Sequence, residues 1–451
     1  MKKELDFYKD KPSRIFGTYF LNSVVGAMSV AIYVLFDTIF IGWGVGSDGL
    51  AALNIAIPVF NVMISLGMLL GVGGANSMSL FMGRGEDSEA REFFPITIGL
   101  GVVLSVVVTF LGMYYLEDII YLLGADESIF SYTMDYIKPA VMFSWIYLFN
   151  FLLQTYIRND GNPRLPMLAG VVSGVLNIFL DMLFIFKFKM GMRGAIVATL
   201  ISTVVGMAML LAHFRKKECS LSLRLPRDRK ISALEILRKT GRVFKNGFPS
   251  FIIEISSGVI IMLFNNRLMT LLGVDGVSAY SIIANVNYIM MAVFNGSALA
   301  IQPAVSKNYG AREDKRVLEF LKLGEICCLA FGIIFTLSGY LFSDKLVYLF
   351  LDNPSASVCL ISKISIEIYF LTYLFNGSNI LCGMFLQAIE REGQSTVASV
   401  LRGIVLPSLL MFLLPVMFGK NAIWATVVVS EGACFALTFW FVCRAVRSLR
   451  A

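Results

Sequence analysis

The sequence predicts an all-α integral membrane protein of twelve transmembrane helices, built as two parallel six-helix repeats (6+6) around a central cleft. Three observations carry this. Of the 451 residues, 57% are hydrophobic and only 15% charged, and the mean hydropathy is +0.75. A water-soluble fold does not hide that much apolar surface, whereas a bilayer accepts it. Twelve segments are each long enough to cross roughly 30 Å of hydrocarbon as a helix, and the chain repeats itself with a period of about 228 residues.

In chain order the expected spans are 13–43, 50–81, 92–116, 131–157, 163–187, 193–214, 244–272, 277–306, 316–342, 358–389, 395–418 and 421–443. Several exceed the minimum length, so tilt or bending is expected. The N-terminal MKKELDFYKDKPSR is basic, but no short apolar region with a small-residue cleavage site follows it, so it reads as a cytoplasmic tail and not a removed signal. Of the 38 Lys and Arg residues, about 28 fall in the N-tail, the even-numbered connections and the C-tail. That excess places both termini in the cytoplasm. Lys187, Lys189 and Arg193 in the fifth connection run against it but are outnumbered. The net charge of +7 therefore reflects topology, and no nucleic-acid partner is expected; the basic cluster from Arg215 to Lys245 reads as a solvated linker, with contact to anionic membrane lipids as the alternative.

The seven Cys are scattered, with no CxxC pair or metal spacing, and read as small apolar residues. The single His213 falls at a helix end, where a structural or solvated role is expected. No metal site and no cofactor are expected beyond a transported ion.

The repeat is legible residue by residue. Leu35-Phe36-Asp37 recurs as Leu263-Phe264-Asn265, each followed by a glycine-containing turn (Gly46–Gly49 and Gly273–Gly276). MGRGEDSEA (Met82–Ala90) is echoed by YGAREDKRV (Tyr309–Val317), Gln154-x3-Arg158 by Gln387-x3-Arg391, and GMRGAIVAT (Gly191–Thr199) by GKNAIWAT (Gly419–Thr426). Six spans per half is an even number, so both halves enter from the same side as parallel repeats. The expected parts are an N-terminal lobe (1–214), a basic cytoplasmic linker (215–243) and a C-terminal lobe (244–451).

Asp37 lies inside an apolar stretch, and its counterpart Asn265 is neutral. A carboxylate there costs several kcal/mol unless it is paired, protonated or facing a cavity, and it marks an ion or proton path. Asn177 and Asp181 are spaced i, i+4 on one face of span five. At 1.5 Å per residue they lie roughly 20–27 Å in, and Thr199, entering from the other side, about 9 Å down, a comparable level. Asp37, near the outer end of span one, completes four oxygen-bearing side chains at one depth. Two nearby carboxylates in a low dielectric cannot both stay charged cheaply, so the pair suits a proton. The same oxygens also suit a small hard cation such as Na⁺ (compare), and hydrogen-bonded structural acids remain the third reading.

The second half keeps Thr426, but the stretch aligned with Asn177 and Asp181 is apolar (Val405–Leu414). It carries Glu254, Glu367, Arg402 and Glu431 within its spans instead. Arg402 needs a partner or a wet cavity, and an Arg402–acid pair is expected to hold that half together. Candidate substrate contacts are Glu254 and, from the many Met and aromatic residues of spans one, two, seven and eight, Met28, Tyr33, Phe36, Phe60, Met63, Met262, Tyr280, Met290 and Phe294. Such side chains make adaptable walls and attract organic cations.

DTIFIGWGVGSDGLAALNIAIP (Asp37–Pro58), LNIFLD (Leu176–Asp181), GMRGAIVAT and GFPSF…NYGARE (Gly247–Glu313) resemble the multidrug and toxic compound extrusion (MATE) family, in its bacterial DinF-like/MepA-like branch. The resemblance covers essentially the whole chain. It implies a bacterial inner (plasma) membrane antiporter, not an enzyme, that exports organic and often cationic compounds in exchange for H⁺ or Na⁺ by rocking of two lobes. It also implies a monomer and an ion site on Asp37, Asn177, Asp181 and Thr199. Two features depart from the family pattern. Its early proline in span one is Asn22 here, so proline-driven bending of that helix is not expected, and its span-ten acid is Asn379, which favours coupling in the N-terminal half. The competing readings are a lipid-linked saccharide flippase, which would want a cationic cleft, and a membrane enzyme acting on lipids, for which the single His has no visible partner set.

Overall fold

The computed structural model describes residues 6–216, 219–223, 231–350 and 356–450, so parts of the N-terminal tail and of the basic linker lie outside the described residues. The described residues are almost entirely helical. Among the described residues, ten helices are long and apolar enough to span a membrane singly: Pro12–Gly44, Ser47–Gly83, Asp87–Tyr114, Arg164–Lys187, Gly191–Arg215, Ala233–Gly273, Asp275–Gly310, Asp314–Tyr348, Glu392–Phe418 and Lys420–Leu449. Two bent pairs, Glu127–Met142 with Ser144–Asn159 and Val358–Phe370 with Tyr373–Ala388, pass the same test when each is taken as one span. Counted so, they are spans four and ten of the expected twelve.

Helices dominate because hydrocarbon offers no partner to an unpaired N–H or C=O, so each span must satisfy its own backbone. The interruptions fall on matching spans in the two halves. Span four bends by 54° and span ten by 42°. Pro139, four residues before the first bend, has no N–H to give its helix. Span five ends in a π turn at Met182–Lys187, and span eleven carries one at Leu401–Val405. The turns into spans six and twelve each use a glycine at positive φ, Gly191 (57°) and Gly419 (86°), a conformation that costs other residues steric strain. Span one runs without a break from Pro12 to Gly44. Asn22 stands on it with its amide bonded to the Thr18 carbonyl at 2.7 Å.

Span seven starts at Ala233, eleven residues before the expected boundary. The cause is a capping box: Glu235 N–H donates to Ser232 Oγ (3.2 Å), and Ser232 N–H donates to the Glu235 carboxylate (3.0 Å). The added turns carry Lys239, which pairs with the buried Glu92 of span three.

Two compact units divide the chain elsewhere than the expected lobes do. One holds Val25–Ile255, and the other Phe7–Val24, Ser256–Tyr309 and Glu313–Ala451. Particular contacts account for the boundaries. Arg316 donates to the Phe7 and Asp10 carbonyls (2.7 Å each), which ties the start of the chain to the second unit. Asn246 meets Asn76 (3.3 Å) and Ser77 (3.2 Å), and Gly247 lets its backbone lie against Leu69, which ties the start of span seven to the first.

Within the first unit, one hydrophobic cluster gathers Phe40, Ile41, Ala56, Tyr136, Ile137, Ile185, Ala195 and Ile196. The polar side chains of greatest interest stand among them.

Candidate functional site

Span one contributes Asp37, span five Asn177 and Asp181, and span six Thr199. All four are buried, Asp181 completely. Asp181 is the last residue of regular α-helix before the π turn, the kind of helix distortion that recurs at functional sites. Asn177 Nδ2 donates to Thr199 Oγ1 at 3.3 Å, and Thr199 Oγ1 donates to the Ala195 carbonyl at 3.1 Å. The carboxyl groups of Asp37 and Asp181 lie within electrostatic reach of each other. The four residues that depth arithmetic puts at one level thus form two buried pairs, Asp37 with Asp181 and Asn177 with Thr199, linked by the one-turn step from Asn177 to Asp181 on span five.

A fifth member comes from span four. Tyr136, 3% exposed, points its hydroxyl at Asp37 Oδ2 across 3.4 Å. Counted from the expected start of span four at residue 131, Tyr136 lies about 8 Å in, near the level of Thr199, but depth alone does not mark a tyrosine. A lone tyrosine in an apolar span has nothing else in the sequence to single it out. Next to it, Asp135 pairs with Arg193 at 2.8 Å, so one of the cations that run against the charge rule is held by a local carboxylate.

The cluster is short of donors. Among the described residues, Asp37 Oδ1, Asn177 Oδ1 and both carboxylate oxygens of Asp181 are buried without a hydrogen-bond partner. A buried acceptor left unmet costs about 1–3 kcal/mol, and more when it is charged. Four such oxygens, on two interacting carboxyl groups and an amide one helical turn away, have the chemistry to take up a proton or a hard cation.

The second unit uses its polar residues differently. Arg402, in the π turn of span eleven, donates through Nε to Glu431 (2.8 Å) and through NH2 to Asn376 (2.9 Å). Asn379 donates to the Glu431 carboxylate (2.6 Å) and accepts from Thr438 (2.8 Å). The expected Arg402–acid pair is present, and Asn379, the departure from the family pattern, is one of its supports. Thr426 keeps its place in the repeat and is buried, with a hydroxyl that has no partner among the described residues.

The candidate substrate contacts separate into three groups. Met63, Tyr280 and Phe294 are buried in the packing of their own units: Met63 in the cluster around Asp37, Tyr280 against Phe264 (ring centroids 4.8 Å apart), Phe294 against Phe335 (5.6 Å). They pack as core residues, because their helices turn those faces towards neighbours. Met28, Tyr33, Phe60, Glu254 and Met290 are half-buried, and Phe60 stacks edge-on against Tyr147. Phe36 and Met262 are exposed.

Comparison with known proteins identifies the family to which this fold belongs. The sequence profile of the MatE family matches residues 23–183 and 248–413, one stretch in each half of the repeat and together most of the chain. The chain belongs to the MatE family. A relative, the multidrug export protein MepA of Staphylococcus saprophyticus, is 24% identical over 436 residues, covering 96% of this chain and 94% of its own. The fold matches an outward-facing multidrug resistance MATE family transporter of the MOP superfamily with a TM-score of 0.91 at 21% identity, over 100% of this chain and 99% of that one. A MOP superfamily transporter from Pyrococcus furiosus, described as having a binding pocket of reversed polarity, matches with a TM-score of 0.91 at 20% identity over the whole of both chains. In this MatE chain the polar cluster of the first unit lies within the matched stretch 23–183, apart from Thr199.

Proposed function

We propose that the protein is a secondary-active multidrug exporter that exchanges organic, often cationic compounds for H⁺ or Na⁺ held by Asp37, Asn177, Asp181 and Thr199. One observation carries the reading: four buried oxygens of this cluster lack a donor, on two carboxylates within reach of each other and the amide beside them. A proton or a sodium ion satisfies them, and an ion shifts the balance between two conformations by the difference in its affinity for them. Neutralising the cluster releases the drug outward and allows return to the inward-facing state, with the two six-span halves moving alternately. Each charge that crosses 100 mV supplies about 2.3 kcal/mol, close to fifty-fold in a concentration ratio. That potential drives the exchange of one ion for a neutral compound; exchange for a monovalent organic cation is electroneutral and draws on the ion's concentration gradient alone.

The relatives' description as multidrug export proteins supports the substrate class. The Lys and Arg distribution supports a plasma-membrane protein with both termini cytoplasmic. The flippase reading is weakened by Arg402: its guanidinium is tied to Glu431 and Asn376 and is not free for a pyrophosphate.

The test uses purified protein in liposomes with a fluorescent organic cation and a proton or a sodium gradient imposed separately. Transport driven by one gradient and lost in Asp37→Asn is the expected result. Absence of transport under both gradients, from a preparation of wild-type monodisperse protein, overturns the reading.

A further inference from the structure

The chain has one histidine, and both of its ring nitrogens meet the turn between spans four and five. His213, at the end of span six, sets Nε2 2.7 Å from Asp160 Oδ2 and Nδ1 3.2 Å from the Asn162 side-chain amide. Asp160 and Asn162 belong to the turn between spans four and five. The segment after span six folds back onto the same carboxylate, with Ser220 N–H donating to Asp160 Oδ2 (3.2 Å) and its hydroxyl bonded to Oδ1. That fold brings in Cys219, whose thiol donates to the Leu221 carbonyl at 3.5 Å. One donor atom each from Asp160, His213 and Cys219 then lie within 4.8 Å of one another. The His213 and Asp160 side chains are only 3% and 4% exposed.

We infer that Asp160, His213 and Cys219 form a binding site for a transition-metal ion of the Zn²⁺ class. The donor set makes the choice: one imidazole nitrogen, one sulfur and one carboxylate oxygen suit Zn²⁺, whereas Mg²⁺ and Ca²⁺ take oxygen. Ligands at 2.0–2.3 Å around a tetrahedral ion stand about 3.3–3.7 Å apart. The His213–Asp160 pair, 2.7 Å apart, therefore opens by less than about 1 Å, and Cys219 closes by up to about 1.3 Å. On binding, the thiol gives up its proton to solvent, so that thiolate and carboxylate balance the two charges of the ion. A water completes the four-coordinate set. The outer partners are already placed, since Asn162 faces the ring nitrogen left free and Ser220 holds Asp160. An Asn162 amide turned to present its oxygen accepts the Nδ1–H, and the two amide orientations differ only by a flip. The bound ion ties the first residues of the inter-half connection to the end of span four.

The test is a Co²⁺ titration of the full-length chain, purified in detergent and stripped with a chelator. One Co²⁺ per chain with a thiolate-to-metal charge-transfer band, displaced by Zn²⁺, is expected. Cys219→Ser removes the band. Asp160→Asn, which keeps hydrogen-bonding capacity towards Ser220, weakens Zn²⁺ binding by more than the roughly 10–100-fold expected of the outer-shell change Asn162→Ala. No stoichiometric Co²⁺ binding, or a band and affinity unchanged in Cys219→Ser or Asp160→Asn, overturns the proposal and leaves a hydrogen-bonded clamp without metal. Variants are compared only where their size-exclusion profile matches the wild type.

Discussion

The two halves of this chain descend from one repeat, bend at matching spans and carry π turns at matching helices, yet they treat buried polarity in opposite ways. In the first unit, Asp37, Asn177 and Asp181 present four buried oxygens without donors. In the second, Arg402, Glu431, Asn376, Asn379 and Thr438 bond to one another. A network closed on itself is stable and has no reason to change its occupancy. One that lacks donors is costly alone and is completed by something from outside. The lesson is that charge inside a span does not mark function until its partners are counted.

This contrast can be broken experimentally, and the largest effect is expected at Asp37. Asp37→Asn makes the first half resemble the second at that position. Ion-coupled export in liposomes should fall to background while the protein still purifies as a monodisperse species; wild-type export would end the comparison. Asp181→Asn should do the same, and the double variant should be no worse than either single one, because groups that act as a unit are not additive. Neutralising an acid in the other half should act on stability instead. Glu431→Gln leaves the Arg402 guanidinium without its counter-charge, and a broken buried pair costs about 3–5 kcal/mol. A marked drop in thermal unfolding temperature in detergent is expected, partly restored in Arg402→Met/Glu431→Leu. An unchanged unfolding temperature in Glu431→Gln would mean that the network does not hold the unit together.

Smaller effects sharpen the picture. Tyr136→Phe removes one long hydrogen bond to Asp37, worth about 0.5–1.5 kcal/mol, so export should weaken roughly two- to ten-fold with little change in stability. Arg193→Ala removes a pair in which the arginine is 68% exposed. Such surface pairs contribute about 0–1 kcal/mol, and the variant should transport and unfold much like the wild type. A large loss in Arg193→Ala would instead tie the Asp135 pair to the position of Tyr136.

Much of the candidate site is legible in the amino-acid sequence. Asp37 stands out because a carboxylate in hydrocarbon is expensive wherever it falls, and Asn177, Asp181 and Thr199 follow from helical rise alone. Tyr136 escapes such reasoning because a hydroxyl on a large apolar ring costs little in a span and leaves no trace in hydropathy. The packing of Met63, Tyr280 and Phe294 is hidden for a related reason: an apolar residue looks the same in sequence whether it faces a ligand, a lipid or a neighbouring helix.

What the sequence determined by itself was the set of helices, their doubling and the depth of their polar residues. Each span satisfies its own backbone, so length and hydropathy are local properties that a single chain reveals. Tertiary structure alone decided which distant groups meet. Asp37 finds Tyr136 across 99 residues, Arg402 finds Glu431 across 29, and Asp160 finds His213 across 53. Those meetings depend on how helices rotate and bend against one another, and no periodicity along the chain records that.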